Sequence, residues 1–156
     1  MSRIGFGFDT HKLQPDADLF LGGVKIPSEK GAVGHSDADV LIHAICDALL
    51  GAANLGDIGT HFPDSDEQYK GIDSKILLKK VVAILNEKNF HIANIDTTVC
   101  LEKPKIAPYI IQIQQKLSEV IGIPDYDISV KAKTSEKLGF IGREEGVSAY
   151  AVVLLD

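Results

Sequence analysis

Apolar residues recur along this chain at two spacings, which predict strands and helices. Near the N-terminus, Ile4, Phe6 and Phe8 alternate with small or polar residues, the period-two pattern of a half-buried strand over about 2–9. Leu19-Phe20-Leu21 and Val24-Lys25-Ile26 flank Gly22-Gly23 and end before Pro27, which predicts a tight hairpin. Helical spacing then marks about 37–54, 73–89 and 107–121, and strand-like segments cover about 94–101, 127–133 and 147–155.

This order of elements predicts a single α+β domain over residues 1–156, with one mixed β-sheet covered by helices on one face. The other face or an edge of such a sheet must be covered by something else, so self-association is expected. No apolar run approaches the roughly 20 residues that span a bilayer. No signal segment precedes the first strand, so we expect a cytoplasmic protein without a membrane partner.

The net charge of the chain limits the kinds of molecule that it is expected to bind. The chain has 16 Lys and Arg residues against 22 Asp and Glu residues, a formal net charge of -6. A nucleic-acid surface needs a clustered basic stripe, so we expect no nucleic-acid partner. An anionic ligand would have to be attracted by bound metals or local backbone amides. Cys46 and Cys100 lie in apolar patterns, which predicts reduced thiols rather than metal ligands.

The first predicted helix carries polar residues that packing does not require. If the helix begins near Ser36, then Asp39, His43 and Asp47 share one ridge, away from the apolar stripe. Ser36 is the expected N-cap, with Asp39 three residues later in a variant of the capping box. A helix N-terminus beside His35 and Ser36 also suits a phosphate. Metal and phosphate are therefore both candidate ligands of this segment.

A metal site can be assembled from two segments. Asp9 and His11 are two residues apart at the end of the first strand, so their side chains leave the same face. With His43 they provide one carboxylate and two imidazoles, the ligand set of a catalytic zinc with an open position. Asp47 could fix the imidazole tautomer from one helical turn away, or could be a solvated carboxylate. Taken alone, Asp9 and His11 also fit a turn aspartate and a surface histidine.

Two further loops contain candidate ligand-binding residues. Residues 54–66 form a glycine-punctuated loop too long for a simple connection, and its acidic spacing does not fit an EF-hand. Residues 133–143 follow a strand and combine hydroxyls, an acid and three cations. Thr134 and a divalent ion on Glu136 could hold a diphosphate there, although a solvated charged loop has the same composition.

Together these motifs resemble one family closely. They are Gly7-Phe8-Asp9-Thr10-His11, Leu21-Gly22-Gly23, His35-Ser36-Asp37-Ala38-Asp39 through His43, Asp47-Ala48-Leu49-Leu50-Gly51-Ala52, Leu55-Gly56-Asp57-Ile58-Gly59 to Phe62-Pro63-Asp64, and Thr134 to Gly142. The chain resembles the 2-C-methyl-D-erythritol 2,4-cyclodiphosphate synthases of non-mevalonate isoprenoid biosynthesis. The resemblance runs in the family's order from about residue 3 to residue 155.

The resemblance implies a fold, an assembly and a set of site residues. It implies a fold like that of the bacillus chorismate mutase. It also implies a homotrimer with active sites between adjacent subunits. Asp9, His11 and His43 would bind Zn²⁺, and Glu136 would hold a second divalent cation, Mg²⁺ or Mn²⁺. The catalytic residues would be His35, Thr134 and Glu136. The implied contacts to phosphate and erythritol are Ser36, Asp57, Ile58, Gly59, Phe62 and Asp64. The implied contacts to the cytidine nucleotide are Leu101, Pro104, Lys105, Ile106, Ala107, Ala132, Lys133 and Thr134. Phe140 and Arg143 complete the implied set, and Arg143 would face a cavity on the trimer axis.

The implied reaction is that of a phosphorus-oxygen lyase. It converts 4-diphosphocytidyl-2-C-methyl-D-erythritol 2-phosphate into the cyclic diphosphate plus CMP. A metal-dependent phosphohydrolase and a non-catalytic trimeric nucleotide-binding module are the alternatives. Two sites depart from the family pattern: Ala38, where glycine is frequent, and Lys133-Thr134-Ser135, where a threonine run is frequent. A trimmed plant form would place the protein in the plastid stroma rather than in a bacterial cytoplasm.

Overall fold

A computed structural model describes residues 1–156, and a five-stranded sheet forms one layer of the fold. The strands are β1 (Arg3–Pro15), β2 (Leu19–Leu21), β3 (Val24–Ile26), β4 (Lys30–Val33), β5 (Ile92–Cys100), β6 (Ile128–Lys133) and β7 (Gly146–Leu155). The helices are α1 (Val40–Ala52), α2 (Ile58–His61), α3 (Ser74–Glu87), α4 (Ile110–Ile121) and α5 (Gly139–Gly142).

The sheet has the order β4-β1-β7-β5-β6, and β2 pairs with β3 in a separate hairpin. Only the β5–β6 pair is parallel, while the other neighbours are antiparallel. The mixed sheet with helices on one side confirms the predicted α+β class. The first strand is longer than predicted because it continues along β7 to Lys12 and its last four residues pair with β4, from Lys12 opposite Val33 to Pro15 opposite Lys30. The four residues of β4 are too few to show a periodic pattern in the sequence.

The large apolar residues of β1 lie on the face of the sheet that the helices do not cover. Ile4, Phe6 and Phe8 are 75%, 61% and 58% exposed, on the face away from the helices. Gly5 and Gly7 face α1 instead, and a Cβ on either would lie 1.9 or 2.2 Å from a carbonyl oxygen of that helix. The missing side chains allow the helix backbone to contact the strand directly. The alternation was predicted correctly, but the large residues do not mark the side that α1 covers.

Helix α1 also begins later than predicted. Its N-cap is Asp39, whose side chain accepts the N–H of Ile42 at 3.0 Å. The same carboxylate accepts N–H groups of Gly22 and Gly23 at 3.0 and 2.7 Å, so it ties the β2–β3 hairpin to the helix. Burial raises the pKa of Asp39, and these N–H groups oppose that rise. The predicted N-cap Ser36 was therefore wrong, because Asp39 caps the helix.

The residue just before this cap has an unusual backbone. Ala38 adopts a φ of 57°, in the left-handed region, and is buried. A residue with a Cβ is disfavoured there by about 1 kcal/mol relative to glycine. This cost gives a physical reason why glycine is frequent at this position in the family that the chain resembles.

Two smaller expectations can also be compared with the structure. Cys46 is buried and Cys100 half-buried, and both are free thiols. No helix in the structure has both the length and the apolar run that crossing a membrane requires.

Candidate metal centre and substrate cavities

Asp9, His11 and His43 meet at the interface between β1 and α1. Asp9 and His11 lie on the same side of β1 as Gly5 and Gly7, so they face the helix. Asp9 Oδ2 lies 2.9 Å from both His11 Nε2 and His43 Nδ1, and the two ring nitrogens are 3.1 Å apart. All three side chains are mostly buried. The close approach of α1 to β1 at the two glycines brings His43 within reach of the strand.

The three ligand atoms fit a divalent metal ion. At zinc bond lengths of about 2.0 Å, the corners of a tetrahedron lie about 3.3 Å apart. The observed separations of 2.9–3.1 Å are close to this value, and all the atoms lie within 4.8 Å of one another. One carboxylate and two imidazoles leave a coordination position open for a substrate or water. The predicted convergence of these three residues is confirmed, and they can hold a divalent cation.

Electrostatics at the triad favour the carboxylate anion. Burial opposes ionisation of Asp9, but hydrogen bonds and charge from His11 and His43 hold its pKa well below the ordinary range. Burial also opposes protonation of His43, yet Asp9 raises the pKa of His43 above its usual value. A metal ion that binds here replaces a proton as the positive partner of Asp9.

Asp47 plays a different part from the one suggested by its spacing. Its Oδ1 accepts the N–H of Ile58 at 2.8 Å, and it makes no hydrogen bond to His43. Burial raises the pKa of Asp47, and the Ile58 N–H partly offsets this. Asp47 thus connects α1 to the first residue of α2, and the outer nitrogen of His43 must find its partner elsewhere.

A cavity of about 210 Å³ opens beside the triad. Its unusual feature is His35, whose Nε2 is buried and has no hydrogen-bond partner. A buried polar atom without a partner is costly, so this nitrogen is suited to contact a polar ligand. The predicted phosphate and erythritol contacts that line the cavity are His35, Ser36, Ile58, Gly59, Phe62 and Asp64.

Asp57 is the exception among the predicted erythritol contacts. Its Oδ1 accepts the backbone N–H and the hydroxyl of Thr60, both at 2.8 Å, which makes it the N-cap of α2. Asp57 does not line the cavity, although its neighbours Ile58 and Gly59 do. In this structure the carboxylate therefore shapes the loop rather than the wall of the cavity.

A second cavity of about 170 Å³ lies where β5 and β6 end. Apolar side chains form its floor, and the ammonium groups of Lys105 and Lys133 make no ion pair within the chain. An apolar slot bordered by cations suits a base that carries phosphates. All eight predicted nucleotide contacts line it: Leu101, Pro104, Lys105, Ile106, Ala107, Ala132, Lys133 and Thr134.

Besides Asp57, three predicted site residues line neither of these cavities. Glu136 is exposed, with a φ of 54°, and its Oε1 lies 3.5 Å from Thr134 Oγ1. Phe140 is 42% exposed. Arg143 forms an exposed ion pair with Glu145, at 2.9 Å. In the sheet, strands β7 and β5 lie between β6, which Glu136 follows, and β1, which carries Asp9 and His11.

The structure also adds residues that sequence reasoning missed. Ser74 is fully buried, and its Oγ lies 3.0 Å from His43 Nε2. Its position directly after the N-cap Asp73 looked like an ordinary helix start, so only the three-dimensional contact reveals it. Tyr69, Ile72 and Leu77 extend the wall of the first cavity. Their apolar spacing in the sequence is typical of core residues, so it gave no sign that they line a cavity.

Comparisons with known proteins agree with this arrangement. The model of the YgbB family matches residues 2–156. The 2-C-methyl-D-erythritol 2,4-cyclodiphosphate synthase of Bacteroides fragilis is 60% identical over 154 residues, covering 99% of this chain and 97% of that protein. The enzyme of the same name from Porphyromonas gingivalis strain W83 is 61% identical over 153 residues, covering 98% of this chain and 94% of its own.

A solved structure of 2C-methyl-D-erythritol-2,4-cyclodiphosphate synthase in its CDP-bound form has a TM-score of 0.92. It is 38% identical to this chain, and the match covers 99% of this chain and all of that one. The family match and these relatives extend over nearly the whole sequence. The chain therefore belongs to the YgbB family, the family of the 2-C-methyl-D-erythritol 2,4-cyclodiphosphate synthases.

Proposed function

We propose that this chain converts 4-diphosphocytidyl-2-C-methyl-D-erythritol 2-phosphate into 2-C-methyl-D-erythritol 2,4-cyclodiphosphate and CMP. The observation that carries the proposal is the Asp9, His11 and His43 triad beside a cavity with an unpartnered buried imidazole nitrogen. The relatives' name and the CDP bound to one of them support the same substrate class. The enzyme class would be a phosphorus-oxygen lyase that acts in the non-mevalonate pathway.

Two metal sites belong to the proposal. Asp9, His11 and His43 would hold Zn²⁺, and Glu136 would hold Mg²⁺ or Mn²⁺. When bound, such ions supply positive charge that neutralises phosphate oxygens and polarises the phosphorus centres. The hydroxyl of Thr134, 3.5 Å from Glu136 Oε1, would keep the carboxylate beside the nucleotide cavity.

The protein's own residues would position the substrate. His35 and Ser36 would contact the 2-phosphate, and the walls of the first cavity near Phe62 and Asp64 would hold the erythritol. The base and ribose would occupy the second cavity, with Lys105 and Lys133 near the phosphates. Nucleophile and electrophile lie in one molecule, so orientation alone removes much of the barrier. No nucleophilic side chain is required.

We also propose that three copies assemble with active sites between neighbours. Phe6, Phe8 and Tyr150 form an exposed cluster with ring centroids 6.2–6.5 Å apart, on the sheet face that no helix covers. An exposed aromatic cluster of this kind favours burial against another subunit. The metal cavity and the nucleotide cavity share no lining residue. Contact between subunits would bring the nucleotide cavity of one chain to the metal cavity of the next.

The assembly predicts a coupled loss of oligomer and activity. Phe8→Asp places an unpaired charge in the proposed interface, at a cost on the order of 3 kcal/mol per subunit. We expect analytical ultracentrifugation to show monomers and the release of CMP to stop. Ile111→Asp is a matched control, since Ile111 is 70% exposed on α4. A trimeric and fully active Phe8→Asp protein would contradict the interface.

The reaction itself can be tested directly with the pathway substrate. Incubation with Zn²⁺-loaded protein and Mn²⁺ is expected to release one CMP per substrate. Phosphorus NMR is expected to show a cyclic diphosphate as the other product. Inorganic phosphate instead would indicate a phosphohydrolase, and tight nucleotide binding without turnover would indicate a binding module. Either of these results would overturn the proposal.

A further inference from the structure

The outer nitrogen of His43 faces a buried serine. Ser74, the first residue of α3, is completely buried, and its Oγ lies 3.0 Å from His43 Nε2. On its other side, the same Oγ lies 2.5 Å from Asp37 Oδ1. His43, Ser74 and Asp37 thus form a continuous row of polar groups that leads away from the metal triad to a half-buried carboxylate.

The hydrogens in this row have only one consistent order. Nδ1 of His43 faces Asp9 and His11, so a metal bound there needs the lone pair of that nitrogen. The proton of the neutral imidazole must then sit on Nε2, where it donates to a hydroxyl oxygen. The hydroxyl of Ser74 in turn donates to the carboxylate of Asp37, which can only accept.

Asp37 is itself held in place by the backbone. Its Oδ2 accepts the N–H of Ser74 at 3.1 Å, and its Oδ1 accepts the N–H of Asp39 at 3.2 Å. The Asp37 N–H donates to the carbonyl of Ile72 at 3.1 Å. The acceptor at the end of the row is thus fixed between the start of α1 and the start of α3.

A second hydroxyl competes for the same nitrogen. Ser36 Oγ lies 3.1 Å from His43 Nε2 and also accepts the N–H of Ala38 at 3.2 Å. Ser36 lines the first cavity, whereas Ser74 does not. Only Ser36 can therefore turn toward a bound substrate, while Ser74 has no alternative partner beyond this row and Ser36 itself.

We propose that Ser74 and Asp37 are positioning residues that fix the tautomer and orientation of His43 for metal binding, which leaves the Ser36 hydroxyl free for the substrate phosphate. The inference rests on the metal site proposed above. Groups that hold the outer nitrogen of a metal-bound histidine raise its basicity and limit its rotation, and their loss weakens metal affinity by about 10–100-fold.

The test measures metal affinity in the full-length protein. We expect Ser74→Ala to bind Zn²⁺ about 10–100-fold more weakly in a chelator competition. Its Co²⁺-loaded form is expected to show a shifted visible spectrum. Ser36→Ala is expected to keep both properties close to those of the unmodified protein but to raise KM. The matched control is Thr97→Val, which removes a buried hydroxyl bonded to the carbonyl of Ser129 at 2.8 Å, within the sheet.

Each outcome has a definite meaning. Unchanged Zn²⁺ affinity and an unchanged Co²⁺ spectrum in Ser74→Ala would overturn the inference and leave the metal site standing. The same loss in Thr97→Val would also overturn it, because the effect would then reflect general destabilisation. If Ser74→Ala does not fold, Asp37→Asn carries the same expected loss of affinity. An unmodified protein that binds no Zn²⁺ would contradict the metal site itself, and the inference with it.

Discussion

His43→Ala is expected to lose Zn²⁺ and CMP release together. The substitution removes one of the three ligand atoms that lie within 4.8 Å of one another, and it leaves Asp9 with one imidazole partner. Two remaining ligands are too few for a stable catalytic zinc site. A metal that stabilises transition-state charge contributes several kcal/mol, so we expect kcat to fall on the order of a thousandfold.

The measurement pairs metal analysis of the purified protein with a CMP assay. His91→Ala is a suitable control, because His91 is exposed and lines neither cavity. It should keep both the Zn²⁺ and the activity. Full turnover by Zn²⁺-depleted His43→Ala protein would mean that the triad does not serve the reaction.

The second large effect is expected at Glu136. Glu136→Gln keeps the shape of the side chain but removes the charge that a second divalent cation would need. Glu136 is exposed, so the substitution changes no packing, and the fold and the Zn²⁺ site should be preserved. We expect kcat to fall about a hundredfold, with a higher concentration of Mg²⁺ or Mn²⁺ needed for half-maximal rate.

A titration of Mg²⁺ or Mn²⁺ against the rate of CMP release measures this effect. Glu87→Gln, which removes an exposed carboxylate at the end of α3, should behave like the unmodified protein. If Glu136→Gln responds to added metal in the same way as the unmodified protein, Glu136 is not the ligand of a second cation. The Zn²⁺ content, measured on the same sample, separates this result from damage to the triad.

The metal triad could be predicted because its signals are local. A spacing of two places Asp9 and His11 on one face of a strand, whatever the rest of the fold does. His43 could be assigned to the polar side of its helix from the apolar stripe alone. The approach of α1 to β1 then brought the two segments together. Spacing and ligand chemistry were therefore sufficient for this part of the site.

The details that failed depend on contacts distant in sequence. The helix begins at Val40 rather than near Ser36 because Asp39 is drawn to Gly22 and Gly23 of the hairpin. Asp47 bonds to Ile58 rather than to His43, whose outer nitrogen contacts residues of two other segments. Helical periodicity contains no information about such partners. Periodicity in the sequence assigns a polar residue to one face of a helix, but it does not identify the hydrogen-bond partner of that residue.

The sheet illustrates a different limit. The alternation in β1 correctly predicted which residues share a face of the strand. It could not predict which of the two faces contacts the helices. Ile4 and Phe6 are large and apolar, which marks a half-buried strand but not the element that covers it. The helix instead packs on glycine, because backbone contact brings the two elements closer together than side chains would allow. The face that α1 covers follows from this fit between elements, not from hydrophobicity.

The backbone contact at Gly5 and Gly7 also determines how freely the rest of the protein can vary. Main-chain atoms set the distance between β1 and α1, so the volume of the surrounding core side chains does not determine the span from Asp9 to His43. Apolar residues elsewhere in the core can be exchanged for others of similar size with small effects on stability. Core residues can therefore change without altering the geometry of the triad. Gly5 and Gly7 cannot, because that geometry depends on their lack of a side chain.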